Sequence, residues 1–277
     1  MKGYLLALVY CILIQIQPNA QNIVSAGSRS NSLSNASVAI EDIWAYNHNP
    51  AATARLKETG FGLSYENRFL LREFQNQGFV FAQPLKHGVI SVGANFYGYR
   101  QFKSYRGGIG YALPLAKFLA AGVQLNYQGI QLNENYGSRH TMTAEAGLLA
   151  QLTSKWKLGF SVFNVSRTKL NDFQNERIES TFRLGLSYEV TKQVLILVET
   201  SKTITDQLRM KVGVEYQPLR HFFIRLGVQG SPMEYAFGFG YRWKIIQLDA
   251  GSTYHQILGW TPNVNLNIFI PKKTNNE

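Results

Sequence analysis

The chain has 277 residues, one cysteine, 24 glycines, 13% aromatic and 16% charged residues, a formal net charge of +11 and a mean hydropathy of −0.14. One cysteine cannot form a disulfide within the chain, so a disulfide-stapled scaffold is excluded. The many aromatic residues argue against disorder. The mean hydropathy, which is close to zero, excludes a helical membrane protein unless the apolar residues are clustered.

The first twenty residues have the composition of a secretory signal peptide. Lys2 provides the positive start, residues 3–16 are mostly apolar and uncharged, and the small residue Ala20 closes the stretch. We expect cleavage after Ala20, which also removes Cys11 and lowers the net charge to +10. A membrane anchor is the alternative, but the stretch is short against the roughly 20 apolar residues of a spanning helix.

Beyond residue 60, apolar and polar residues alternate with period two. Residues 235–243 place five aromatic side chains between alanine, glycine and arginine, and residues 208–216 alternate apolar residues with arginine, lysine, glycine and glutamate. Since successive side chains of a strand point to opposite faces, each segment has one apolar face and one small, polar or charged face. Such a pattern fits a soluble sandwich or an outer-membrane barrel.

Three features favour the barrel. The segments run to about ten residues, the length of a tilted membrane-spanning strand. The polar face is rich in glycine and in charges of both signs, which suits a lumen. Aromatic residues recur near segment ends, as in the interfacial girdles of membrane barrels: Tyr65, Tyr97, Tyr99, Tyr111, Tyr127, Trp156, Tyr188, Tyr216, Trp243, Tyr254 and Trp260.

The alternation predicts an all-β transmembrane antiparallel β-barrel of about fourteen strands within residues 60–277, with no large loops. Twelve strands remain an alternative if the two weakest segments, 60–68 and 76–84, are not both in the wall. The candidate strands are 60–68, 76–84, 88–99, 103–114, 117–131, 139–153, 155–166, 178–190, 193–202, 207–217, 221–230, 234–244, 246–256 and 261–271.

Residues 21–59 do not alternate and form a separate N-terminal segment. The residues that stand out in it are Gly27, Arg29, Asp42, Asn49, Pro50 and Ala51. This run, with small residues around Ala36–Ile40, resembles the opening of FadL/PorV-type outer-membrane proteins, which begin with a Gly/Ala-Arg turn, a small-residue run, an acidic residue and an Asn-Pro-Ala turn.

The resemblance implies that residues 21–59 plug a fourteen-stranded barrel as a hatch. The sequence departs from the usual pattern at Leu33-Ser34-Asn35-Ala36, where the family has a Met-Gly-Gly-Ala-like run, and at His48, where it has an aromatic residue. A solvated periplasmic tail is the alternative to a plug, but the apolar residues of 40–46 need burial.

Charged residues at polar-face positions are predicted to line the lumen, where Arg29 and Asp42 could pair with some of them. The predicted lumen charges are Arg183, Glu189, Arg209, Lys211, Glu215, Arg225 and Arg242.

The sequence contains no pattern typical of a catalytic or metal-binding site. Its five histidines form no metal-ligand spacing, and the mature chain has no cysteine, so we expect no metal, no cofactor and no catalytic residues. Ser138 with His140, and Asp249 with His255, share a strand face, but so do half of all residue pairs. The basic residues are scattered rather than clustered, which argues against nucleic acid.

The sequence therefore predicts a non-enzymatic protein of the Gram-negative outer membrane, embedded in outer-membrane lipid. The resemblance implies two roles. The first is handling or anchoring of secreted cargo, as in the type IX secretion-associated PorV/PorQ branch, with secretion-system components or cargo proteins as partners. The alternative is FadL-like uptake of hydrophobic small molecules.

Overall fold

The chain forms a closed barrel of fourteen antiparallel strands. The computed structural model describes residues 26–132, 137–168 and 177–271, so the expected signal peptide lies outside the described residues. The predicted all-β antiparallel barrel is confirmed, and both 60–68 and 76–84 are in the wall, which gives fourteen strands rather than twelve. Among the described residues, no helix is long and apolar enough to cross a membrane.

Each strand pairs with its neighbours along the chain, and β1 closes the barrel by pairing with β14 from Thr59 opposite Ile270 to Glu66 opposite Asn263. The strands are β1 (Thr59–Asn67), β2 (Gln75–Pro84), β3 (Val89–Tyr99), β4 (Phe102–Pro114), β5 (Leu119–Leu132), β6 (Ser138–Gln151), β7 (Trp156–Phe163), β8 (Thr181–Thr191), β9 (Val194–Thr203), β10 (Arg209–Leu219), β11 (Phe222–Gln229), β12 (Glu234–Trp243), β13 (Ile246–His255) and β14 (Gly259–Ile270).

The period-two pattern sorts side chains onto the two surfaces of the wall. In β12, Tyr235 and Phe239 are exposed on the outside, while Ala236 is buried on the inside. The outer surface carries large apolar side chains throughout, such as Leu125, Met142 and others, as expected of a barrel that spans a bilayer. Most buried inward positions carry asparagine, glutamine, serine or charged residues, and a smaller number carry aliphatic residues such as Leu149 and Leu197.

The two ends of the barrel differ in their connections. At the end where β1 begins and β14 ends, the connections are short; at the other end, two are longer, 68–74 and 164–180. Outer-membrane barrels have short periplasmic turns and longer extracellular loops, and we name the two ends accordingly. The short connections are 85–88, 115–118, 152–155, 192–193, 220–221 and 244–245.

Two details differ from the sequence-based expectation. The connection between β7 and β8 is longer than predicted, because Asn164 takes a left-handed conformation (φ 51°) and its side chain donates to Ile178 O, which ends β7 early. Tyr97, expected in an aromatic girdle, is on the inner side, where its ring lies 5.5 Å from the Arg68 guanidinium carbon.

Candidate functional site

The interior of the barrel is filled by residues 26–58, which we call the N-terminal segment. It contains one turn of helix, α1 (Ser28–Asn31), and two 3₁₀ turns, Ile43–Asn47 and Pro50–Thr53. Trp44 donates from its indole nitrogen to Asn267 Oδ1 of β14 at 2.8 Å, so the segment contacts the inner wall directly. Four of its large apolar side chains are fully buried: Leu33, Ile43, Trp44 and Tyr46.

The Asn-Pro-Ala turn is a local structure with a clear cause. Asn49 caps the Pro50–Thr53 turn by accepting from Ala51 N at 3.1 Å, and Pro50 supplies a preset φ at the first position. The same Asn49 amide donates to Val38 O at 2.7 Å and to Leu148 O of β6 at 3.1 Å. One side chain therefore joins two parts of the segment to the wall.

Inward-facing glycines allow the segment to lie against the wall at backbone distance. A Cβ at Gly159 of β7 would lie 2.3 Å from Val38 O, and one at Gly122 of β5 would lie 2.5 Å from Ala51 N. Within the segment, Gly27 has a φ of +101° and packs on the Trp44 ring. Glycine at these wall positions is explained by close packing rather than by strand propensity.

We expect Gly159→Val to displace the segment. Overpacking costs about 1–3 kcal/mol, so trypsin should cut the segment after Arg29 and Arg55 roughly tenfold faster than in the unmodified protein. Gly107→Val is the matched control, since a Cβ there has no neighbour closer than 3.7 Å. Equal cleavage of the two variants would contradict the packing described here.

A chain of ion pairs joins the segment to β10, β11 and β13. Arg29 binds Glu215 through two hydrogen bonds of 2.6 and 2.9 Å and contacts Asp42 at 3.3 Å. Arg225, which is 1% exposed, binds Glu215 and Asp249 at 2.6 Å each. Charges of alternating sign thus run from the segment across three strands, each neutralised by its neighbours.

A second cluster is centred on Glu199 of β9. Its carboxylate accepts from Arg183 Nε at 2.8 Å and Lys211 Nζ at 3.0 Å. It also accepts from the backbone N–H groups of Ser37 and Val38, both at 2.8 Å. One buried carboxylate therefore holds two wall cations and the backbone of the segment.

His48 lies in the segment next to this cluster, with Nδ1 at 3.4 Å from Arg183 Nη1. Burial, together with the Arg183 charge, lowers the pKa of His48 well below its ordinary range. The imidazole is therefore neutral at pH 7 and adds no charge beside the two cations.

The remaining predicted lumen charges are more peripheral. Arg209 contacts Asp206 near the extracellular end, and Arg242 binds Glu58 of the segment at 2.9 Å near the periplasmic end. Glu189 is on the inner side of β8 but is exposed close to the periplasmic rim. None of these three joins the two buried clusters in the described residues.

Several buried charges were not anticipated from the sequence. Besides Glu199 and Asp249, Arg106 contacts Glu145 at 3.4 Å and donates to Asn47 Oδ1 of the segment at 2.8 Å. Glu66 accepts from Asn31 Nδ2 at 2.5 Å. All of them occupy inward positions in strands, where the period-two register of the strand places them on the lumen face, although the apolar run Val194–Val198 hides that register around Glu199.

Two cavities flank the segment at opposite ends of the barrel. The extracellular one, about 230 Å³, is polar, and its lining includes Asn35 and Asn47 of the segment. The periplasmic one, about 360 Å³, is lined partly by apolar residues, among them Ile43, Trp44 and Phe269. The segment separates the two spaces.

The described wall between these cavities is continuous. Each described strand is paired with both neighbours, and the two register irregularities, at Glu189/Thr191 and Tyr216/Leu219, lie near the periplasmic rim. In this conformation, the N-terminal segment and the continuous wall leave no open passage through the described part of the barrel.

The histidines do not assemble into a reactive group in the described part of the chain. His255 Nδ1 accepts from Ile257 N and Leu258 N, each at 3.1 Å, while Asp249 is engaged by Arg225. His140 faces outward beside Ser138. His87 and His221 lie in periplasmic turns, and no cluster of potential metal ligands is present among the described residues.

No family model and no curated protein matches this sequence. Solved structures do match its fold. A monoaromatic hydrocarbon channel, CymD, has a TM-score of 0.71 at 12% identity over 92% of this chain and 100% of that one. The toluene transporter TbuX of Ralstonia pickettii has a TM-score of 0.67 at 11% identity, covering 90% and 98%. A FadL homologue of Pseudomonas aeruginosa has a TM-score of 0.63 at 10% identity, covering 90% and 98%.

Proposed function

We propose that this chain is an outer-membrane channel through which small hydrophobic molecules enter a Gram-negative cell. This is the second of the two roles that the sequence resemblance implied. It is supported by the solved structures of similar fold, which are named as hydrocarbon or toluene channels and span nearly the whole length of both chains. Their identities of 11–12% support the architecture, and the activity is our inference.

The observation that carries this proposal is the position of the N-terminal segment between two cavities. Asn35 and Asn47 face the extracellular cavity, while Ile43 and Trp44 line the periplasmic one. The segment is held by hydrogen bonds and ion pairs, which can break and re-form without any change in covalent bonds. Residues 26–58 thus act as a plug whose displacement joins the two spaces into one passage.

A type IX secretion-associated role of the PorV/PorQ kind is the second candidate. The polar lining of the extracellular cavity and the unbroken wall favour it, since a hydrophobic molecule gains little from such a surface. In that role the barrel stays closed and presents its extracellular rim to secretion components or cargo. Recovery of such proteins from detergent-solubilised outer membrane would support this candidate.

Whole-cell uptake of radiolabelled toluene tests the channel. Gram-negative cells that express the chain should accumulate toluene several-fold faster than cells carrying an empty vector, because their lipopolysaccharide layer otherwise slows hydrophobic compounds. Heat-modifiable gel migration confirms that the barrel is folded. Uptake equal to that of the empty vector, with the folded barrel present, would contradict the proposal.

A further inference from the structure

A groove of about 420 Å³ lies on the outer surface of the barrel, near the extracellular ends of β2, β3 and β4. Phe96 and Tyr105 form its apolar part, and they face outward because Asn95 and Arg106, their neighbours in sequence, are buried inside. Lys103, Gln75 and Gln77 provide its polar part. This groove plays no part in the passage described above.

The groove exists because one outward position has no side chain. Gly98 pairs with Lys103, next to the pair of Phe96 and Tyr105. Its φ is +110°, and a Cβ there would lie 2.1 Å from the carbonyl oxygen of Phe102. The backbone conformation therefore requires glycine, and the missing side chain leaves a recess beside Phe96.

Neighbouring aromatic residues fix the depth of the groove in the membrane. Tyr105 Oη lies 2.7 Å from His140 Nδ1, and the His140 ring stacks on Tyr127 with centroids 5.7 Å apart. His140 Nε2 is 3.2 Å from Ser138 Oγ. Rings with one apolar side and one hydrogen-bonding tip belong at the level of the lipid headgroups. The groove therefore spans the boundary between acyl chains and headgroups of the outer leaflet.

The charge around the upper edge of the groove is positive. Lys103 lines it, Arg100 is exposed in the turn just above, and Arg72 is exposed in the adjoining loop 68–74. Within the described residues, none of these three forms an ion pair with a carboxylate, and Glu73 is the single acidic residue of that loop. An anionic group at headgroup level complements this edge.

We propose that this groove is a binding site for a phosphorylated lipid of the outer leaflet. One acyl chain lies against Phe96 and Tyr105, and the phosphate is bound by Lys103. The amides of Gln75 and Gln77, unusual in a lipid-facing wall, donate to the ester carbonyls between phosphate and chain. Apolar recess, amides and cation follow one another in the order in which a phospholipid presents its parts.

Native mass spectrometry of the detergent-solubilised full chain, titrated with dioleoyl phosphatidic acid, tests this site. We expect one tightly retained lipid, with Lys103→Gln weakening its binding roughly fivefold, the effect of removing one cation near a membrane surface. Lys202→Gln is the matched control, because Lys202 is also an outward lysine near the extracellular end but lies outside the groove. Phe96→Ala should weaken binding of phosphatidic acid and of dioleoyl phosphatidylcholine alike.

Two results would overturn the proposal. One is equal loss of phosphatidic acid from Lys103→Gln and Lys202→Gln, which would mean that the groove does not select the lipid. The other is displacement of the lipid by millimolar inorganic phosphate alone, which would mean that the cation binds free phosphate and the acyl chain adds nothing. Both variants leave the lumen untouched, so toluene uptake reports separately on the channel.

Discussion

Glu199→Gln should release the N-terminal segment and raise toluene uptake above that of the unmodified protein. The Glu199 carboxylate is 1% exposed and neutralises both Arg183 and Lys211. Without the carboxylate charge the two cations repel each other. In addition, the amide nitrogen of the glutamine takes the place of one carboxylate oxygen, so an acceptor for the backbone N–H groups of Ser37 and Val38 is lost. Removing one partner of a buried ion pair costs about 3–5 kcal/mol, so the displaced state of the segment becomes far more populated.

Cleavage of the segment by trypsin after Arg29 and Arg55 provides the direct measurement, and uptake gives the functional one. Glu189→Gln is the control, since Glu189 is on the same inner side of a neighbouring strand but is exposed. Adding Lys211→Met to Glu199→Gln should restore part of the protection, because it removes one of the two cations and so their mutual repulsion. Unchanged cleavage and uptake in Glu199→Gln would show that this cluster does not hold the segment.

Arg225→Ala should give a large loss of barrel stability. Arg225 is buried between Glu215 and Asp249, and its removal leaves two carboxylates without their shared partner. We expect a loss of about 3–5 kcal/mol in the free energy of unfolding. Urea titration in detergent, followed by heat-modifiable migration, measures the shift in the transition midpoint.

Arg242→Ala is the comparison for this variant. Arg242 and its partner Glu58 are each 39% exposed, and an exposed pair contributes about 0–1 kcal/mol. The urea midpoint of Arg225→Ala should therefore lie well below the urea midpoint of Arg242→Ala. Similar midpoints for the two variants would mean that the buried chain of charges contributes no more than a surface ion pair.

The wall of the barrel could be predicted because period two is a local property. In β12 each aromatic residue alternates with a small or charged one, and no long-range contact is needed to decide which face is apolar. Strand ends depend on contacts between residues distant in sequence: β7 ends just before Asn164, whose side chain donates to Ile178 O on the far side of the loop.

The contacts of the interior could not be predicted, because they depend on how strands are staggered around the barrel. Glu199 follows the apolar run Val194–Val198, which hides the alternation, and nothing local indicates that it meets the backbone of Ser37. Asp249 meets Arg225 only because β12 lies between their strands with Gly240 at the crossing point, where a Cβ would lie 2.3 Å from the Asp249 carboxylate. Such partners follow from register rather than from sequence.

The most direct test of the channel is to lock the plug in place. A Cβ at Gly213 would lie 3.0 Å from Leu33 Cβ, slightly closer than the roughly 3.5–4.5 Å of a disulfide, so Leu33→Cys with Gly213→Cys places two thiols within bonding reach. The chain's single natural cysteine, Cys11, lies in the expected signal peptide. Each single-cysteine variant serves as control. In cells, the oxidised double variant should take up toluene no faster than the empty vector, and reduction should restore uptake to the level of the single-cysteine variants. Equal uptake by the oxidised and reduced forms would contradict the account.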